Sequence, residues 1–309
     1  MSSVDRLYFV HEGKAAYPEI AAYRRFFADR FATAEIHPRD AAREAGLATG
    51  VAWCLMGFYP DRFGAARVVH DYRSLSIGRL ARVKDAVKRW RNARPDVRIF
   101  QNATLREKMD FRDDVPSVLL PMGVPANILA ARAMPGDVHD QADFVYAGVL
   151  SAERRLPTMI DSFVRRFQGR RTLALYGPAE PRLVARYAAT PGVRFLGVVP
   201  QETLFARLRA CRAAVAFFPN HAPHLYQTPT KLLEYAALGG RIIANEQPAS
   251  RQAASRFGIT CWWGPADDLF AACPESLAWD DNATLEASSF LWPAVIAASG
   301  IAERIAAWG

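Results

Sequence analysis

The chain has 309 residues, enough for two domains at ~150 residues each. Apolar residues make up 51% and charged residues 23%, a globular mix that excludes a disordered chain, a collagen and a coiled coil. The net charge of +8 is lopsided: the window from Arg79 to Lys108 holds ten basic and three acidic residues, net +7.

The first half alternates short apolar runs with helical patterns. Strands are expected at Leu7–His11, Thr33–His37, Val51–Met56, Arg67–Asp71, Val97–Gln101 and Val118–Pro121. Pro18–Arg30 is expected to be a helix with Ile20, Tyr23, Phe26 and Phe27 on one face. In Ile77–Arg91 the apolar face is Ile77, Leu80, Val83, Val87 and Trp90, and Arg79, Arg82, Lys84, Lys88, Arg89 and Arg91 cover the rest. Such a helix suits an anionic membrane surface, although a solvated helix packed on its own sheet has the same pattern.

The polar stretch Ala133–Asp143 reads as a linker, and the pattern then restarts. Strands are expected at Phe144–Gly148, Thr172–Tyr176, Val193–Leu196, Ala213–Phe217, Arg241–Ala244 and Thr260–Trp263. Helices are expected at Leu156–Phe167, Pro181–Ala189, Gln201–Cys211, Thr230–Leu238 and Pro248–Phe257, with one or two more in Leu291–Trp308. The expectation is an α/β chain of two Rossmann-like, doubly wound domains facing a central cleft, with ligands outside the carboxyl ends of the strands. The domains are expected at residues 1–135 and 140–288, with 289–309 as a C-terminal helix returning to the first domain.

Cys54, Cys211, Cys261 and Cys273 show no CxxC spacing, which argues against zinc and a disulfide framework and fits a reducing cytoplasm. No signal peptide is expected from MSSVDRLYFV, and the longest uncharged stretch, Ala213–Thr230, is too polar to span a membrane.

The most informative segment follows the fourth strand of the second half, PNHAPHLYQTPTKLLEYAALGGRIIAN. Thr230 can cap a helix whose first turn carries Lys231, with Glu234 on the same face. A helix N-terminus and an ammonium suit a phosphate, and a carboxylate one turn deeper can accept hydrogen bonds from sugar hydroxyls. The bland alternative is a capped helix with an i,i+3 ion pair. In AGVLSAERR, Arg154 follows Gly148 and offers a planar fork to phosphate oxygens, or else belongs to a solvated arginine pair. In the first half, His11, Glu12 and Gly13 end strand one, and His70 and Asp71 end strand four. Asp71 and Glu12 are the carboxylates placed to act as a general base on an acceptor hydroxyl; the alternative for each is a helix cap.

PTKLLEYAALGGRIIAN resembles the donor-binding segment of GT-B glycosyltransferases, in particular bacterial polysaccharide enzymes of the family 4 type. FVYAGVLSAERRLPTMIDSF, LALYGP and VRFLGVVPQETLFARLRACRAAVAFF resemble, in the same order, three further stretches of that nucleotide domain. The resemblance covers residues 144–245 well and the first half in outline. It implies donor-binding roles for Gly13, Gly148, Arg154, Gly177, Tyr226, Thr228, Thr230, Lys231 and Glu234. Tyr226 occupies a position where many such enzymes carry a second glutamate. Trp292 resembles the final helix that crosses back to the first domain.

The function expected on these grounds is transfer of a sugar from a nucleoside diphosphate sugar to a lipid-linked or polysaccharide acceptor, by a cytoplasmic enzyme peripheral on the inner membrane. His70, Arg82, Lys84, Lys88 and Arg89 would face the acceptor or the membrane. No metal, no other cofactor and no nucleic-acid partner are expected, since no DxD-like cluster follows a strand of the nucleotide domain. The alternatives are a GT-B-type nucleotide-sugar epimerase and a non-catalytic peripheral-membrane protein with a donor-like fold.

Overall fold

The computed structural model describes residues 4–14, 17–136, 141–222 and 224–308. The centre of the expected linker, residues 137–140, lies outside the described residues. The chain forms two compact units: Met1–Gly123 with Tyr226–Thr228 and Leu291–Gly309, and Val124–Leu225 with Pro229–Phe290.

The first unit runs β1 (Arg6–Val10), α1 (Pro18–Phe27), β2 (Ala32–Ile36), α2 (Pro38–Ala41), β3 (Val51–Leu55), β4 (Arg67–Tyr72), α3 (Ala81–Arg91), β5 (Val97–Phe100), α4 (Ala103–Met109) and β6 (Ser117–Leu119). Its strands are all parallel, in the order β2-β1-β3-β4-β5-β6. Period-two alternation divides each strand between two cores. Leu7, Phe9, Trp53, Val69 and Ile99 pack on one face, while Tyr8, Val10, Cys54 and Val68 pack on the other. Burial on both faces is why these strands read as unbroken apolar runs.

The second unit runs α5 (Asn127–Ala133), β7 (Phe144–Ala147), α6 (Leu156–Phe167), β8 (Leu173–Tyr176), α7 (Pro181–Tyr187), β9 (Val193–Gly197), α8 (Gln201–Ala210), β10 (Ala213–Ala216), α9 (Thr230–Ala237), β11 (Ile242–Asn245), α10 (Pro248–Phe257) and β12 (Trp262–Gly264). The sheet is again parallel, in the order β12-β11-β10-β7-β8-β9. Phe144, Phe163, Phe167 and Phe270 form the centre of its core with ring centroids 5.1–5.9 Å apart.

The last helices, α11 (Trp292–Ala298) and α12 (Ile301–Ala306), pack in the first unit, where Trp292, Ile296 and Ile305 join the core of Phe9, Tyr23 and Trp53. The α/β, doubly wound expectation holds: all twelve expected strands are present within one or two residues of their places. The short helices α2, α4 and α5 were not expected.

Strand order reverses in each sheet, between β1 and β3 in the first unit and between β7 and β10 in the second. In open α/β sheets the crevice at the carboxyl end of such a reversal is where ligands bind.

Candidate functional site

At the β7/β10 reversal of the second unit the chain brings Lys231 over the strand ends. Lys231 lies in the first turn of α9 and its Nζ is 3.2 Å from the Tyr146 hydroxyl. The amine also sits over the Tyr146 ring at 4.6 Å and near the Phe218 ring at 5.7 Å, a cation–π environment. A Cβ at Gly148 would run into this ammonium, and a Cβ at Gly177 would run into the Gly148 carbonyl; both glycines hold positive φ (147° and 128°). Glycine is therefore required at both positions for β7, β8 and Lys231 to close on one another.

Among the described residues Lys231 has no carboxylate within ion-pair distance. The i,i+3 pair with Glu234 is not formed at 4.0 Å, although the two charges are close enough to interact. Glu234 is half-buried, and loss of hydration raises its carboxyl to about 7, against the attraction of Lys231. Thr230 is the first helical residue rather than the cap: Pro229 takes the cap position and supplies no side-chain acceptor. α6 likewise begins without a side-chain cap, on Arg155 in the left-handed conformation. Other helices of the unit do better, as α10 does with the Gln247 amide oxygen on the Ser250 N–H. Arg154 is half-buried in the turn that enters α6, its N–H on Ser151 Oγ at 3.3 Å, and it forms no ion pair among the described residues.

Neighbouring residues lock this end of the sheet. The Tyr235 hydroxyl accepts the Ala147 N–H at 3.3 Å and so ties α9 to the end of β7. Fully buried Asn245 exchanges two 2.8 Å hydrogen bonds with the Phe218 backbone and fixes the loop after β10. Sequence reasoning missed Tyr146, Tyr235 and Asn245. Their signal was a polar atom within an apolar run, near a strand end for Tyr146 and Asn245 and on the buried face of α9 for Tyr235, where it must find a partner.

Tyr226 and Thr228 are hydrogen-bonded to Asn102 and Gln101. They belong to the first unit, where the Thr228 N–H donates to Gln101 Oε1 (2.7 Å) and Asn102 Nδ2 donates to the Tyr226 carbonyl (2.9 Å). The position expected for a second glutamate is thus a half-buried tyrosine beneath Lys108, whose Nζ is 5.6 Å from the ring.

In the first unit the structure corrects the expectation for Asp71. Its buried carboxylate accepts from Tyr23 Oη (2.9 Å) and Trp53 Nε1 (3.1 Å) and pairs with buried Arg73 (Nε–Oδ1 2.7 Å). Arg73 in turn reaches the Leu120 carbonyl at 2.7 Å. Asp71 is an internal ion-pair residue with no face open to an acceptor. Glu19, also buried, shares this cluster; burial raises its carboxyl and Arg73 opposes the rise. His70 is corrected too. Adjacent strand residues face opposite ways, so His70 points away from Asp71 into the layer of Tyr59 and Tyr72. It is buried there, and desolvation with Arg98 nearby lowers its pKa to about 3, so it is neutral and unable to meet a membrane or acceptor.

At the β1/β3 reversal the Tyr59 hydroxyl bridges the carbonyls of Val10 (3.0 Å) and Leu55 (2.6 Å). Beyond it Gly13 turns with φ 68° and open space around it, its N–H on His11 Nδ1 at 3.2 Å. Glu12 is half-buried and ion-paired with Lys14.

No family model matches the chain, and no curated protein is similar to it in sequence. Solved structures do match, over nearly the whole length. HepE of Anabaena, solved with UDP and glucose, superposes with a TM-score of 0.71 at 12% identity, covering 97% of this chain and 98% of that one. Sucrose-phosphate synthase from Thermosynechococcus elongatus gives 0.67 at 14% identity over 97% and 98%. AviGT4, a glycosyltransferase involved in avilamycin A biosynthesis, gives 0.62 at 15% identity over 97% and 96%.

The fold is GT-B.

Within this GT-B chain, then, the residues that converge are Gly148, Gly177 and Lys231, with Arg154 in the turn that enters α6 and Glu234 on α9. Among the described residues no group of three or more His, Cys, Asp or Glu side chains could hold a metal ion, and no helix is long and apolar enough to cross a membrane.

Proposed function

We propose that the protein is a glycosyltransferase that takes a sugar from a nucleoside diphosphate sugar and passes it to a lipid-linked or polysaccharide acceptor. The observation that carries this reading is Lys231: an ammonium at the strand-order reversal, seated on aromatic rings and against Gly148, with no carboxylate within ion-pair distance among the described residues. A fixed positive charge of this kind stabilises a diphosphate as negative charge grows on it during departure. Arg154 and the uncapped starts of α6 and α9 add donors for the same anion. Glu234, one turn deeper, accepts hydrogen bonds from the sugar. HepE was solved with UDP and with UDP-glucose, which makes UDP-sugars the first donors to try. With Asp71 enclosed, Glu12 remains the strand-end carboxylate of the first unit for receiving the acceptor proton. A thermal-shift screen of nucleoside diphosphates tests the donor reading: a ligand near a hundred times its Kd should add ~2.7 kcal/mol of stability. No shift with any of them would remove the donor site.

The membrane part of the proposal rests on α3. Its apolar strip does not pack inward: Val83, Val87 and Trp90 on the helix and Ile77 and Leu80 just before it are all exposed, Trp90 by 85%. The buried residue of the helix is instead Asp85, which accepts the Ser76 N–H at 3.0 Å and pairs with Lys88 at 3.7 Å. Exposed Arg82 and Lys84 flank the strip. An outward apolar strip edged with cations is the pattern of a helix lying in an anionic interface, at ~1 kcal/mol per basic residue near the surface. Lys88 is removed from this set, since burial lowers its pKa and Asp85 holds it. Arg89 is half-buried and donates to the Met109 carbonyl at 3.3 Å. The protein should co-sediment with anionic but not neutral liposomes, less so in salt because the Debye length is ~8 Å. Arg82→Gln with Lys84→Gln, and separately Val83→Ser with Trp90→Ser, should each reduce the bound fraction. Equal partitioning of parent and variants would make α3 a solvated face.

A further inference from the structure

The second unit carries a pocket at the other ends of its strands. It opens where β10 and β11 begin and has a volume of about 390 Å³, at the small end of ligand pockets (~300–1,000 Å³). Four arginines line it: Arg132 from α5, Arg209 from α8, and Arg212 and Arg241, which directly precede β10 and β11. The carboxylate among its lining residues is Asp281, whose Oδ1 already accepts the Ala283 N–H at 3.0 Å.

Part of this arrangement has a plain structural purpose. Arg132 donates to the carbonyls of Leu285 (2.9 Å), Asn282 (3.4 Å) and Ala283. Arg209 donates to Leu238 (3.3 Å) at the end of α9, and Arg241 to Trp279 (2.8 Å). Helix ends and loops leave carbonyls that need donors. These five bonds use a minority of the N–H groups, since each guanidinium carries five. Arg209 Nε is buried with no partner. The bonds also orient the guanidinium planes.

Charge separates the two readings. Satisfying carbonyls requires donors, not four cations around one cavity. Four guanidiniums less one carboxylate leave +3 among the lining residues. The end of α9 offsets about half a charge of this. Asp143 stands 3.7 Å from Arg212 and is engaged by Arg171 at 3.0 Å as well. No lysine is present; every cation is the planar fork that takes two phosphate oxygens at once. We propose that this pocket binds a phosphate-bearing anion, at a site separate from Lys231.

Isothermal titration of the full chain with inorganic pyrophosphate tests this, in a Lys231→Ala, Arg154→Ala background that weakens the site proposed for the donor. Saturable binding is expected, weakened about tenfold or more by Arg212→Gln with Arg241→Gln, as for loss of two charge-assisted contacts. Those two side chains are exposed, so the variant should fold, and an unchanged melting temperature without ligand confirms it. Anionic liposomes form the second arm. Pyrophosphate binding without arginine-dependent recruitment marks a free phosphate compound as the ligand; recruitment lost in the double variant marks a lipid headgroup. Absent or non-saturable heat, or equal affinity in a folded double variant, overturns the site.

Discussion

The two units share a fold but finish the carboxyl ends of their sheets differently. At the end of β4, Asp71 and Arg73 pair directly inside the protein, with Tyr23 and Trp53 donating to the carboxylate and Glu19 buried beside them. At the β7/β10 reversal, Lys231 is held by a phenol and two rings, and Glu234 attracts it without forming an ion pair. Both places carry charged residues at strand ends. What separates a structural site from a ligand site is whether the protein supplies the opposite charge.

The largest effect expected from that contrast is at Asp71. Asp71→Ala leaves Arg73 buried and uncompensated and should cost ~3–5 kcal/mol of stability in urea unfolding, with turnover per folded molecule retained. An inactive but equally stable variant would reverse the assignment. Lys231→Ala should do the opposite: a nearly unchanged melting temperature and a loss of donor turnover of ~100-fold, typical of removing one group that stabilises developing charge. Unchanged kinetics in that variant would leave the contrast without functional meaning.

The smallest effect is the pH dependence of Glu234. Its folded pKa of about 7 lies above the ordinary 4.5, so the folded state holds the proton more tightly. The stability contributed by that proton is fully present below about pH 4.5, falls as pH rises, and is lost above about 7. Glu234 is only half-buried, and solvent screening should hold the loss to about 1–2 kcal/mol. Denaturation at pH 5 and pH 8 should show this slope, and Glu234→Gln should flatten it. Donor affinity should move the other way, strengthening as the carboxylate forms, and a pH-independent donor Kd would separate Glu234 from the sugar.

Much of this was written in the chain. Strands buried on both faces require runs such as VAWCL, RVVHDY and IIAN, so local pattern located every strand. The segment TPTKLLE marked a cation in a helix's first turn, and the glycines of YAG and YGP marked where backbone approaches closely. Even the parting of His70 from Asp71 was legible, since neighbours on a strand face opposite ways. Three features were not. The apolar strip of α3 has the period of a core-facing helix, and only the burial of Asp85 turned it outward. Tyr226 and Thr228 stand five and three residues before Lys231, yet Gln101 and Asn102 hold them in the other unit. Arg132, Arg209, Arg212 and Arg241 are spread over more than a hundred residues and meet because α5, α8 and two strand starts end at one cavity. Local sequence sets the period of each element, since that depends on backbone geometry and nearest neighbours. Which charges meet depends on contacts between residues far apart in the chain, and those exist only once the sheets and helices have packed.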